Sequence, residues 1–158
     1  MDLLLDVQIN IDIKENGKTK EKLSVFLRPY TKEEAKQHEE AKNKFLGLSK
    51  KMQSLIGKAN TLERKITLYE KAEQFDKAVK ALEKSDAVVL DLENVTKELE
   101  ALGGDDFYEA KARERFDKQV SGKGKEGLRE HAETRGYLFI MRHLDEERDA
   151  IEKKLQGE

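Results

Sequence analysis

Apolar positions recur along this chain with two different periods, and the change of period divides it. From residue 2 to residue 14 they alternate, Leu4 apart. Leu3, Leu5, Val7, Ile9, Ile11 and Ile13 fall on one face, with Asp6, Gln8, Asn10, Asp12 and Lys14 on the other. Such alternation predicts a half-buried strand. A second strand is predicted from Leu23, Val25 and Leu27, with the turn pair Asn16-Gly17 between the two. Register follows from the pattern. A two-residue Asn16-Gly17 loop pairs Glu15 with Lys18 and sends the two apolar rows to opposite faces, so it is disfavoured. A three-residue loop of Glu15, Asn16 and Gly17 with a glycine bulge pairs Lys14 with Lys18. It sets Leu5, Val7 and Ile9 against Leu27, Val25 and Leu23. Such a hairpin is marginal alone and must lay its apolar face on helices or on another subunit, while its free edges are open to a second hairpin.

After Pro29 the period becomes helical, and Thr31 with Glu34 forms a capping box at the entry. His38, Ala41, Phe45, Leu48, Met52, Leu55, Ala59, Leu62, Ile66 and Tyr69 are spaced alternately three and four apart, one continuous stripe on a helix. The stripe restarts with slips as Ala72, Phe75, Val79, Leu82 and again as Val88, Leu92, Val95, Leu99, Leu102, which suits a bundle better than an uninterrupted rod. Gly57 to Asn60, with Glu63 beyond, reads as a stop and restart; the unbroken phase through Leu55, Ala59 and Leu62 reads as one helix. Both readings stand. Ser85 and Asp86 read as a further helix cap, and Gly103-Gly104 as a stop. A shorter helix is expected from Asp105 or Asp106 through Phe107, Tyr108, Ala112, Phe116 and Val120, then an exposed loop from Ser121 to Gly127. One last helix is expected from about Glu126 to Leu155. Its apolar cluster, Tyr137 to Met141 with Leu144, marks it as the most centrally buried.

The fold expected is therefore mainly α: an elongated helical bundle or coiled coil with an N-terminal β-hairpin. Residues 1–30 form the hairpin, and residues 31–158 form the helical body as a single structural unit. The composition, 41% charged and 37% hydrophobic, approaches that of disordered chains, but the apolar residues are periodic rather than scattered. With 31 basic and 33 acidic residues the net charge is −2, which does not indicate nucleic acid or an anionic membrane as a partner. Charge is unevenly placed: residues 86–109 carry eight acidic side chains and one lysine, and residues 110–129 seven basic and three acidic, so neighbouring helices bear opposite signs. Those faces either steer antiparallel packing or offer an acidic surface to a basic partner. There is no cysteine, which excludes disulfides and thiolate chemistry. No apolar run approaches the roughly 20 residues of a membrane span, and the first residues lack the pattern of a signal peptide. A cytoplasmic protein is expected.

Chemical motifs are weak. Gly122, Gly124 and Gly127 match G-x-G-x-x-G, but the strand that should precede a dinucleotide fingerprint is missing, and a flexible connector accounts for the glycines. Lys123 and Lys125 have no interleaved aromatics for nucleic-acid stacking. Glu34 with His38 and His143 with Glu147 are four apart on a helix, yet the Glu-x-x-His signature of a di-iron bundle fails at His38, His131 and His143. No zinc-protease or hydrolase motif is present. No cofactor, no metal and no enzyme activity are expected.

The run Glu15-Asn-Gly-Lys18, then Leu23 to Thr31 with Leu27-Arg28-Pro29, then Lys32-Glu-Glu-Ala-Lys36, resembles the start of tail assembly chaperones of long-tailed bacteriophages over residues 7–40. The resemblance implies a helical, non-catalytic protein that holds a tail component, commonly the tape measure or tail tube protein, soluble before assembly. The long heptad-like middle departs from the shorter members of that family. Prefoldin-like chaperones also join hairpin and coiled coil, but there the hairpin lies between the long helices, and here it precedes them. The function expected is a protein-binding, self-associating assembly factor or chaperone, with Leu5, Val7, Ile9, Leu23, Val25, Leu27, Phe45, Leu48, Met52 and Leu55 as its binding residues. The alternative is a structural or inhibitory coiled-coil module that caps a host or viral protein.

Overall fold

The computed structural model describes residues 6–157. The elements in order are β1 (Val7–Glu15), β2 (Lys18–Leu27), α1 (Lys32–Lys71), α2 (Phe75–Ala101), a short 3-10 turn (Gly104–Asp106), α3 (Phe107–Gln119), β3 (Val120–Ser121), α4 (Lys125–Arg135) and α5 (Tyr137–Gln156). The fold is mainly α, with an N-terminal antiparallel hairpin extended by a short third strand. Contacts divide the chain into two compact units, residues 1–35 with 106–158, and residues 36–105. The hairpin thus belongs with the C-terminal helices, and the 31–158 body expected from the sequence is shared between two units.

In the first unit the hairpin register differs from expectation in an instructive way. Asn16 and Gly17 both have positive φ, 53° and 80°, and form the two-residue turn, with Glu15 paired to Lys18. Parity is restored further along: Lys14 pairs with Thr19 but Ile13 with Glu21, so Lys20 is an extra residue, a bulge in β2. Beyond it Ile11 faces Leu23, Ile9 faces Val25 and Val7 faces Leu27. The apolar rows coincide, as the pattern requires, through a bulge in the strand instead of a three-residue loop. Leu5, expected opposite Leu27, lies outside the described residues, as does Leu3.

That apolar face packs on α3, α4 and α5, with Phe116, Leu128, Ala132, Ile140, Met141 and Leu144 among the core residues. The Phe116 and Tyr137 rings meet edge to face, centroids 5.3 Å apart. Two predicted elements are corrected. The single final helix is two, broken at Gly136, whose φ of 102° and ψ of 139° no helix accepts. The new helix end is capped from a distance: the Glu109 carboxylate accepts from the backbone N–H groups of Tyr137 and Leu138. The expected loop from Ser121 to Gly127 is docked on β2. Val120 and Ser121 pair with Leu27 and Phe26, and the Gly124 N–H donates to the Ser24 carbonyl at 3.0 Å. A Cβ on Gly124 would sit 2.5 Å from that oxygen, and one on Gly127 would sit 2.9 Å from the Leu23 side chain. The glycines therefore serve a close approach between backbone segments within the fold.

At the start of α1 the capping box forms as predicted. Glu34 N–H donates to Thr31 Oγ1 and Thr31 N–H to Glu34 Oε1, each at 3.1 Å. Arg28 adds a bidentate pair to the same carboxylate at 2.6 and 3.0 Å and donates its backbone N–H to the Gln119 carbonyl. The hairpin end, the α1 entry and the α3 exit are thereby tied at one residue.

The second unit is a helical hairpin. Helix α1 runs through Gly57 without a break, and the chain turns instead at residues 72–74, where Glu73 has φ 58°. Every residue of the stripe from His38 to Tyr69 is at least partly buried. Helix α2 starts at Phe75, so Ser85 and Asp86 are interior helix positions and cap nothing. Its inward face is Ala78, Ala81, Ser85, Val88, Leu92, Val95, Leu99 and Leu102, one unbroken alternation. The expected restart through Phe75, Val79 and Leu82 is wrong. Small Ala78 and Ala81 face inward, and the larger residues stand about a row round the helix. Leu55, Val95 and Leu99 form the core of the pair, with Phe45, Leu48, Met52, Val88 and Leu92 packed against it.

Candidate protein-binding surface

Nine of the ten residues singled out from the sequence as a binding surface take part in the two cores; the tenth, Leu5, lies outside the described residues. Ile9, Leu23, Val25 and Leu27 are buried in the core of the first unit, with Val7 packed against it. Leu55 is buried in the second, with Phe45, Leu48 and Met52 against it. Being the most regular apolar positions, they are the ones the chain's own folding uses, with Val7, Phe45, Leu48 and Met52 only partly buried.

Other apolar residues are left outside. Twelve large hydrophobics are exposed among the described residues, and eight of them lie between Leu46 and Leu90, in the helical hairpin. The main group is on α2: Phe75 is 60% exposed, Val79 55% and Leu82 50%, followed by Val89 and Leu90. Phe75, Val79, Leu82 and Val89 are spaced by four, three and seven residues, which aligns them on one side of the helix. This stripe is interrupted by Asp86 and bordered by Asp76 and Glu83. Covering a half-exposed side chain of this size offers about 1 kcal/mol, so the row is worth several kcal/mol to whatever covers it.

Beside it, along the line where α1 and α2 meet, runs an open groove of about 690 Å³, bounded by Gly57, Lys58, Thr61 and Lys65 from α1 and by Lys84, Ala87 and Val88 from α2. It continues into a second, smaller groove edged by Tyr69, Lys77 and Lys80. Sequence reading missed both the stripe and the groove lysines, since each appears only once the inward face of α2 is fixed.

In the first unit several charged side chains pair with one another. Arg115 forms a bidentate pair with Asp145 at 2.8 and 2.9 Å, donates to buried Gln119 and lies 4.7 Å from the centre of the Tyr30 ring. Burial pushes the Tyr30 hydroxyl pKa up. Glu34, the carboxylate four residues before His38, is committed to Arg28, which holds it down at about 2. His143 borders a cleft with Ile11, Ile13, Phe139 and Ile140. His131 lies 3.5 Å from Glu21. Among the described residues no three His, Asp or Glu side chains gather as a metal site, and no helix is long and apolar enough to cross a membrane.

No protein-family model, curated protein or solved structure matches the chain.

Proposed function

We propose that the protein is a non-catalytic protein-binding factor, an assembly factor or chaperone that covers an apolar segment of another protein with its helical hairpin. The observation that carries this reading is the exposed row Phe75, Val79 and Leu82 on α2, continued by Val89 and Leu90. Exposed apolar side chains aligned on one helix face and bordered by charge mark a surface suited to being covered by a partner. The resemblance of residues 7–40 to phage tail assembly chaperones supports the same reading, with a tail component as the client.

The test is suppression of aggregation of reduced insulin B chain, followed by light scattering. The wild-type protein is expected to delay aggregation at near-equimolar ratio, and V79E/L82E, which changes only exposed positions, to lose the effect while keeping its helix content. Absence of any effect from the wild type overturns the chaperone reading. Binding of one mature folded target without client protection would then favour a structural or inhibitory module.

A further inference from the structure

The grooves along the α1–α2 seam share Leu62, Lys65 and Lys84 and so form one channel. Lys58 and Lys65 come from α1, and Lys77, Lys80 and Lys84 from α2, above an apolar floor that includes Leu62, Ala81 and Val88. No carboxylate lines either groove. None of the five ammonium groups has an ion-pair partner among the described residues; Lys77 lies 5.9 Å from the centre of the Tyr69 ring. Lys80 and Lys84 are also four apart on one helix, a like-charge spacing, with Asp76 and Glu83 as the acidic neighbours of Lys80 outside the groove lining. Five lysines and no carboxylate around an apolar floor, in a chain of net charge −2, suit an anionic ligand that also brings apolar groups.

We propose that this channel holds an acidic amphipathic helix of the partner protein, its leucine-like residues on the floor and its Asp and Glu side chains between the two lysine rows. The inference rests on the protein-binding reading above and adds the chemistry of the partner. A phosphate ligand fits less well. Phosphate sites combine arginine or lysine with free backbone N–H groups at helix ends or in loops, and have no use for an apolar floor. This channel has no arginine, and Gly57 to Lys65 lie in the interior of α1, where the N–H groups are used within the helix.

The probe is a fluorescein-labelled helical peptide of leucine and glutamate in amphipathic order, titrated by anisotropy against the full chain. Binding is expected, weakening as salt rises, and K65E/K84E should reduce affinity about tenfold or more. K65A/K84A should give a smaller loss and guards against a misfolded variant. The same peptide with lysine for glutamate should not bind. L155S, at an exposed position of α5, should leave the affinity for the glutamate peptide unchanged. No binding by the wild type, equal binding by K65E/K84E, or tighter binding of an oligothymidylate than of the peptide overturns the proposal. Peptide failure with insulin protection intact defeats only the channel; loss of insulin protection with peptide binding intact defeats only the chaperone reading.

Discussion

Gly124 donates its backbone N–H to the carbonyl oxygen of Ser24 at 3.0 Å, across a gap that no side chain fits. The contact fixes the segment between α3 and α4 on β2. Gly124→Ala must push the backbone of either Ser24 or the docked segment aside, at a cost of about 1–3 kcal/mol. Urea unfolding should show it as a lower midpoint with an unchanged slope. A cost near zero would mean that the docking is loose.

Gly57 predicts the opposite sign. It sits in the interior of α1, and a Cβ there would meet nothing within 4 Å. Gly57→Ala should therefore stabilise the helical hairpin by about 0.5–1 kcal/mol through reduced freedom of the unfolded chain. Thermal unfolding followed at 222 nm reads it as a higher midpoint. A decrease would mean that α1 bends at Gly57.

Glu34 gives a pH dependence. Its carboxyl is lowered from 4.5 to about 2, first by the hydrogen bond from Arg28 and then by the Thr31 backbone N–H. Since the folded value lies below the unfolded one, the contribution is complete above about pH 4.5 and is lost as pH falls towards about 2. Glu34→Gln should cost about 1–2 kcal/mol at neutral pH, and its stability should converge on that of the wild type near pH 2. Parallel urea titrations at several pH values test this; a constant difference over that range would assign the effect to packing.

Much of the fold is legible in the sequence, because periodicity records which face is buried. The stripe from His38 to Tyr69 and the Thr31–Glu34 box are where the pattern puts them, and the described apolar rows of the hairpin share a face, although their partners are shifted by two residues, Ile9 facing Val25 and not Leu23. The remainder depends on partners far along the chain. Gly136 reads as a tolerated helix glycine, since its cap, Glu109, lies on another helix. A two-residue strand such as Val120–Ser121 has no period to detect. In α2 the rule that larger apolar residues face inward fails, because Ala78 and Ala81 take that side and leave Phe75, Val79 and Leu82 outside. The groove lysines are hidden for a related reason: Glu63, Glu70, Asp76 and Glu83 alternate with them in sequence, and only the helical faces separate the two signs.

The order of the units along the chain sets an order of events during synthesis. Residues 36–105 pack within one continuous segment and can fold as they emerge. The hairpin precedes them but finds its core only in α3 to α5. At a translation rate of about 5–20 residues per second, Ile9, Val25 and Leu27 therefore wait roughly 5–20 s for Phe116 and its neighbours. The hairpin is made before the helices it needs and finished after them, and for that interval the growing chain carries an uncovered apolar segment upstream of the helical pair.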